Sequence, residues 1–444
     1  MDNLSVSSTS ESNDNKNNDS IGESKIKTST DNEQQISSLR RLGRGIKKQF
    51  EEAFASISQR VSVAALLEEC INYIIQMPSK VHELDTSLVD LKRTTNATAK
   101  ELEDFYYSSN DAAKQLGVTT NEILTQAAAW SRLGFNTAES AAQMAKLSSL
   151  FKLISPGMTS ETAESGLMSI MTAYEMSADD VLDGIISKIN IVGKNFAISN
   201  SDITAMLLDS VSAMAEGNNT LEETIALEAA AFDIVKDQNV GDGFKTAALR
   251  LIGLNEETLE LDKSLQTIKD DLYDLTGVSV MQDESAYKST YQILKEISEV
   301  WDDLTDKTRD ETAEVIFGEL RADIGKSVIE NFSAAEKAMN DMANSAGNAE
   351  TEMTAAMDSI DFKLNRLRET GTGIAQNLFD RDDMKQVLDF SNSLAEILDF
   401  ITEKIGLIGA VGIGIGIASS YKNVGIDMLV TYRSNLYCFE LPTI

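Results

Sequence analysis

The sequence predicts an all-α fold: an elongated array of amphipathic helices with a helical core domain and a disordered N-terminus. The 444 residues include 3 prolines and 6% aromatic residues, fewer than large β-sandwiches and α/β enzymes usually carry. Residues that favour helices, among them Ala, Leu, Glu and Lys, are abundant. Between residues 117 and 253, helix-capping signatures follow one another along the chain.

The N-terminal part divides into a polar tail at 1–35 and N-terminal helices at 36–116. The tail is rich in Ser, Asn and Asp and cannot bury apolar surface, so we expect it to be disordered. A basic group follows it, comprising Arg40, Arg41, Arg44, Lys47 and Lys48. This group could contact nucleic acid or a membrane surface, but a solvated helix face is favoured because Glu51 and Glu52 follow at once.

The segment 117–276 is the predicted helical core. Five pairs within it combine a small N-cap side chain with an acidic residue three positions later, the spacing of a capping box. They are Thr119 with Glu122, Asn136 with Glu139, Ser177 with Asp180, Ser199 with Asp202, and Thr220 with Glu223. The helices that start at the first, third and fourth pairs are expected to end near Gly134, Gly193 and Gly217. The spacing between pairs varies, which excludes a strict solenoid repeat.

Residues 277–404 form a second predicted helical block. It opens with a short strand-like run at 278–281 and continues with apolar residues at helical spacing. Apolar positions that are expected to face the core include Val81, Leu84, Leu88 and Leu91, then Trp130, Trp301, Ile316, Ile360, Leu364 and Leu367.

The segment 405–420 is rich in glycine and apolar residues. A membrane-spanning helix needs about 20 apolar residues. The uncharged run at 405–418 is shorter, so a buried hairpin or helix is favoured over membrane insertion. Glycines allow backbones to approach closely, so we expect this segment to govern self-association. Residues 421–444 form a polar-aromatic C-terminal tail.

The charge and the cysteines restrict the partners and the compartment. A formal net charge of −32 repels phosphate backbones, so we expect no specific nucleic-acid binding. Cys70 and Cys438 stand at opposite ends of the sequence, which excludes a disulfide framework. Residues 1–20 lack the apolar segment of a secretory signal, so synthesis in the cytoplasm is expected.

The search for catalytic chemistry gives a negative result. His82 is the single histidine, so metal sites built on His and Cys are excluded, and we expect it to be an ordinary helix residue. The sequence has no Walker lysine loop. The acidic pairs Asp302-Asp303 and Asp382-Asp383 are expected to lie on solvated faces. We therefore predict no enzyme: no catalytic, cofactor-binding or metal-binding residue, and no cofactor.

Several stretches resemble the core region of phage tail tape measure proteins. They are 82–93, 113–120, 126–135, 182–184 through 195–196, 201–203, 294–297 with Trp301 and Leu304, 316–318 and 345–349. Their order and spacing carry the resemblance, which extends over residues 80–420. The resemblance implies an all-helical structural protein without catalytic residues in this core.

The role that the resemblance implies is that of a ruler. Several copies would lie in the lumen of a growing tail, and their length would set the length of the tail, since a helix adds about 1.5 Å per residue. The implied partners are the tail tube protein, tail assembly chaperones, distal tail proteins, further copies of the chain and the host membrane. The implied location is the host bacterial cytoplasm during assembly and then the lumen of the virion tail.

Other interpretations stay open at this point. Family members usually continue well beyond the glycine-rich segment, so this chain is expected to be a truncated copy, in which case it could be a non-functional prophage remnant. A membrane-acting, phage-derived helical protein that uses residues 405–418 is a second interpretation. A cytoplasmic helical scaffold without a phage role is a third.

Overall fold

A computed structural model describes residues 80–378, apart from 81, 256–266 and 284. Helices dominate this part of the chain, which contains no strand, as predicted. The helices of the first half are α1 (82–94), α2 (Ala99–Leu116), α3 (Thr120–Arg132), α4 (Ala138–Leu153), α5 (Ser160–Ala173), α6 (Ser187–Phe196), α7 (Asn200–Glu216) and α8 (Leu221–Val235). Those of the second half are α9 (Val240–Leu251), α10 (Ile268–Thr276), α11 (Thr290–Val300), α12 (Asp306–Phe317), α13 (Ala322–Glu330), α14 (Phe332–Ala343), α15 (Asn348–Ala356) and α16 (Ile360–Leu378).

Side-chain caps determine where several core helices begin. Thr119, Ser199 and Thr220 each accept a hydrogen bond from the backbone N–H three residues later, at 3.1, 3.0 and 3.1 Å. At α8, Glu223 also accepts the Thr220 amide at 3.0 Å and completes a capping box. Each bond satisfies a backbone donor that the first turn of a helix leaves unpaired. These three predicted starts are confirmed.

The predicted start at Asn136 is wrong by one residue. Thr137 is the N-cap of α4, and its hydroxyl accepts from the Ser140 amide at 3.1 Å. The backbone of Asn136 has another role, because its carbonyl oxygen accepts from the amide of Asn96 at 3.0 Å. Asn136 and Thr137 could both cap this helix. The bond from the Asn96 amide holds the backbone of Asn136 outside the helix, and Thr137 becomes the N-cap.

The region after Ser177 differs from the single helix that was predicted. The predicted pair is present, since the Asp180 carboxylate accepts the Ser177 amide at 2.9 Å. A 3-10 turn and a π-helical turn (Val181–Ile186) then precede α6. Helix α6 ends at Phe196, near Gly193 as predicted, but Gly193 itself lies inside the helix, where a Cβ would come within 2.8 Å of the Ile198 carbonyl oxygen. Gly193 therefore permits close packing and does not terminate the helix.

The strand-like run at 278–281 forms no strand. Met281 and Tyr287 make an isolated antiparallel bridge. Val278 and Val280 are buried in the core. Their β-branched side chains pack in the core. Burial, and not strand pairing, therefore accounts for the strand-like composition of this run.

Helix α8 lies at the centre of the core. It packs against α6, α7, α9, α11, α13 and α14. Every residue from 224 to 231 is buried, as expected for a helix that is covered on all sides. Trp130 and Trp301 are 0% and 3% exposed, which confirms the prediction that both belong to the core.

The predicted apolar faces are confirmed at the start of the described chain and partly at its end. Leu84, Leu88 and Leu91 are buried, while Val81 lies outside the described residues. In α16, Leu367 is buried but Ile360 is 38% exposed. No helix in the described ranges is long and apolar enough to cross a membrane.

The described residues from 80 to 376 belong to one compact unit of the chain. The predicted borders at 116/117 and 276/277 stay predictions. The expectations for 1–35, 36–79, 379–404, 405–420 and 421–444 concern residues outside the described ranges.

Candidate functional site

The titratable residues considered for catalysis are dispersed. His82 is exposed at the start of α1. Asp302 and Asp303 are also exposed, and the Asp302 carboxylate lies 3.7 Å from the Arg309 guanidinium. Among the described residues, no group of His, Cys, Asp and Glu side chains is arranged to hold a metal ion. Cys70, Cys438 and the pair at 382–383 lie outside the described residues.

One cluster between α3, α4 and α5 has the composition of a nucleophile with a base. The Lys152 ammonium lies 3.2 Å from the Ser160 hydroxyl and 2.6 Å from the Glu122 carboxylate. Ser160 also donates to the same Glu122 oxygen at 3.1 Å. A serine–lysine mechanism needs a neutral amine beside the hydroxyl. Here the ammonium is engaged by a carboxylate, so the cluster is a hydrogen-bonded salt bridge between three helices.

Glu164 is the titratable group of this cluster. Burial, together with the nearby Glu122 and Glu161 carboxylates, raises its pKa to about 7 against the opposing charge of Lys152. Glu164 therefore gains or loses its negative charge near neutral pH. In the protonated form it does not repel the Glu122 and Glu161 carboxylates.

A hydrogen-bonded chain connects this surface cluster to the core. The Gln126 amide nitrogen lies 3.2 Å from Glu122 Oε1, and its amide oxygen accepts from Ser148 at 2.7 Å. Ser148 in turn accepts the Trp130 indole N–H at 3.1 Å. Buried polar groups need such partners. This series of hydrogen bonds fixes the relative positions of α3 and α4.

A second polar junction joins the π-helical turn to the loop before α15. The Asp183 carboxylate accepts the Gly347 amide at 3.2 Å, and the Ser187 hydroxyl accepts the Ala349 amide at 3.3 Å. The stretches 182–184 and 345–349 therefore meet although more than 160 residues separate them. Asp183 and Ser187 satisfy amides at the start of α15, a helix without a side-chain N-cap of its own.

Three asparagines extend this junction into the core. The Asn190 amide nitrogen donates to Asn348 Oδ1 at 2.5 Å, and Asn190 Oδ1 accepts from Asn200 at 3.0 Å. Asn200 also donates to Ser155 Oγ at 3.0 Å. Asn190 thus connects the start of α15 with the start of α7. Such an arrangement fixes helix positions and provides no reactive group.

Replacing Asn190 with alanine is expected to lower the free energy of unfolding by about 1.5 kcal/mol, because the buried Asn200 and the half-buried Asn348 each lose a hydrogen bond. Urea unfolding of the full chain measures the change. Asn195→Ala provides the matched control, since Asn195 is exposed on the same helix. Equal losses in the two variants would contradict the role of Asn190.

Glu228 is a buried carboxyl on the central helix. It is 0% exposed, its Oε1 accepts from the Ser210 hydroxyl, and its Oε2 has no hydrogen-bond partner. Burial raises its pKa to about 8, the Ser210 bond opposes the rise, and Asp209 adds to it. The side chain is therefore protonated at neutral pH in the folded protein.

The burial of Glu228 has a signal in the sequence. The residues around it, from Leu227 to Ala231, are apolar on every side of the helix. A helix without a polar face is buried, so a carboxyl within it must be buried as well. Asn190 and Asn348 carry no comparable signal, because isolated asparagines in helices and loops are common on surfaces.

Part of this body is similar to a known protein family. Residues 108–318, a little under half of the chain, match the family model described as phage-related minor tail protein. The matched region runs from within α2 to the end of α12 and includes the central helix α8. No solved structure matches the chain.

Proposed function

We propose that this chain is a tail tape measure protein, the structural ruler on which a phage tail tube is assembled. The proposal proceeds from the match of residues 108–318 to phage-related minor tail proteins. That match supports a structural role in a phage tail. The role of a length-determining ruler is more specific than a structural role in the tail. The proposal of this role depends on the stretches at 82–93, 294–297 and 345–349, which resemble tape measure proteins.

The physical properties of the chain support this role. A continuous helix relates residue number to length, at about 1.5 Å per residue, and in this chain that relation would have to hold outside the compact unit, whose helices fold back on one another. A net charge of −32 disfavours adhesion to DNA. The polar clusters at Lys152 and Asn190 position helices, which is what a structural component requires. We expect the purified chain to have no hydrolase activity.

The proposed partners follow from the proposed role. They are the tail tube protein, the tail assembly chaperones, the distal tail proteins and further copies of the chain. Assembly would take place in the host cytoplasm, and the assembled chain would lie in the lumen of the virion tail. Contact with the host membrane would depend on residues 405–418.

An insertion in the phage genome tests the ruler directly. Adding 66 helix-forming residues within 379–404 should lengthen the tail by about 100 Å, at about 1.5 Å per residue. Electron microscopy of the virions measures tail length. As a control, replacing part of 379–404 with an unrelated helical sequence of equal length should leave tail length unchanged.

The outcome also separates the ruler from the membrane-acting protein. Complete tails of unaltered length after the insertion would refute the ruler. If the purified chain then released dye from anionic vesicles and a version ending at Lys404 did not, the membrane-acting interpretation would replace it.

A further inference from the structure

Helix α16 connects the end of the described chain to its beginning. Asn365 donates to the Gly117 carbonyl at 3.0 Å, and Gln376 donates to the Tyr106 carbonyl at 2.8 Å. Asn110 donates to the Glu369 carbonyl at 2.7 Å. Three polar contacts along α16 thus meet α2 and the turn that follows α2, across about 250 residues of sequence.

The central contact of this interface is the Glu369 carboxylate. It is 2% exposed and accepts the Thr120 amide at 3.0 Å and the Thr120 hydroxyl at 2.5 Å. Thr120 is the first residue of α3, so the carboxylate lies where helix amides are unpaired and the helix dipole favours a negative charge. Water would solvate the same carboxylate and amides after separation. The contact therefore determines the position at which α16 binds but adds little net stabilisation to the bound state.

The helices beneath α16 keep their own caps without it. The Thr119 hydroxyl accepts the Glu122 amide at the start of α3. Helix α2 has a complete capping box between Thr98 and Glu101, and it ends at the left-handed Gly117. These local bonds do not involve α16, so separation of α16 would remove the Glu369 bonds to Thr120 but not these caps.

Two glycines allow the helices to approach. A Cβ at Gly117 would lie 2.8 Å from Cε2 of Phe362, and a Cβ at Gly373 would lie 3.0 Å from Cγ of Asn110 and overlap its amide oxygen. Alanine at 373 would favour the helical state of α16 itself. It would nevertheless obstruct the binding of α16 to α2, because the Asn110 side chain is 3% exposed and can move aside only by giving up its bonds to Thr120 and the Glu369 carbonyl.

We propose that α16 is a latch: a helix that closes the compact unit through Glu369 and Gly373 and opens independently of the central helices. The closed state joins α16 to α2 and α3, and the open state exposes Asn110, Thr120 and the Tyr106 carbonyl. The latch goes beyond the ruler function and does not depend on it.

Hydrogen exchange of the full chain, followed by mass spectrometry, tests the latch. In the wild type, the amides of α16 should exchange at least about tenfold faster than those of α8, because local opening needs less free energy than global unfolding. Gly373→Ala and Glu369→Gln should each accelerate exchange in α16 by about a further tenfold and leave α8 unchanged. Arg366→Ala, at an exposed position of the same helix, is the matched control and should exchange as the wild type does.

Two results would overturn the latch. Equal acceleration of α16 and α8, or a loss of total helix content in circular dichroism, would place α16 within one cooperative unit with the core. Unchanged exchange of α16 in both variants would mean that Glu369 and Gly373 do not hold it. Tail length is not measured in this experiment, so its failure leaves the ruler untouched.

Discussion

Gly241→Ala is expected to lower the free energy of unfolding by about 3 kcal/mol, the range for overpacking that the fold cannot relieve. Gly241 lies in the first turn of α9, against α7. A Cβ at this position would lie 2.8 Å from the carbonyl carbon and Cα of Met206 and would overlap the Met206 carbonyl oxygen. Backbone atoms cannot rotate away as a side chain can, so the two helices must separate.

Gly243→Ala is the matched control for this prediction. Gly243 lies two residues further along α9, and a Cβ there would meet the Ile324 side chain, 2.7 Å from its terminal Cδ1. A terminal methyl group can rotate to another rotamer, so we expect a loss below about 1 kcal/mol. Guanidinium unfolding of both variants gives the comparison. A Gly243 variant as unstable as the Gly241 variant would show that backbone proximity is not the cause.

Stability should fall with rising pH because of Glu228. The pKa of this carboxyl is raised from 4.5 to about 8 in the folded protein. Between these values the folded chain retains a proton that the unfolded chain releases, so each pH unit in this window costs about 1.4 kcal/mol of stability. The stabilisation by the neutral carboxyl is fully present below pH 4.5 and is lost as the pH rises through 8.

Glu228→Gln should remove this pH dependence. The amide has the same shape as the neutral carboxyl and can still accept the Ser210 hydroxyl, but it does not ionise. We expect the variant to match the wild type near pH 5 and to exceed its stability clearly at pH 8. Glu216→Gln removes one carboxylate from the exposed surface of α7 and serves as the control. Parallel stability curves for Glu228→Gln and the wild type from pH 5 to pH 8 would exclude Glu228 as the cause.

The sequence was sufficient for the fold class and for several helix starts. A hydroxyl followed by an acid three positions later is a local chemical signal. At Thr119, Ser199 and Thr220 the hydroxyl caps its helix, even where the acid binds a distant partner, as Glu122 binds Lys152 and Ser160. The prediction at Asn136 was wrong because the neighbouring Thr137 can cap equally well. The π-helical turn before α6 was not foreseen, since it has no signature at the level of residue spacing.

The polar junctions were beyond prediction because each depends on residues far apart in sequence. Asp183 and Gly347, or Asn110 and Glu369, come together only when the whole helical body forms. Neither of the stretches 182–184 and 345–349 contains a residue pattern that indicates contact with the other. Glu228 is different, because its apolar surroundings within one helix already implied burial.

The hydrogen bond between Asn110 and Glu369 shows that, in this part of the chain, the distance between two residues does not grow with the number of residues between them. The two residues are 259 positions apart, and drawn out as one helix that interval would extend about 390 Å. In the folded body its two ends touch. For a ruler, such a body adds a constant offset, whatever the number of residues in its loops. Insertions and deletions in its loops would then be neutral for tail length, and the variation in length by which tails adapt would have to accumulate in the chain beyond it.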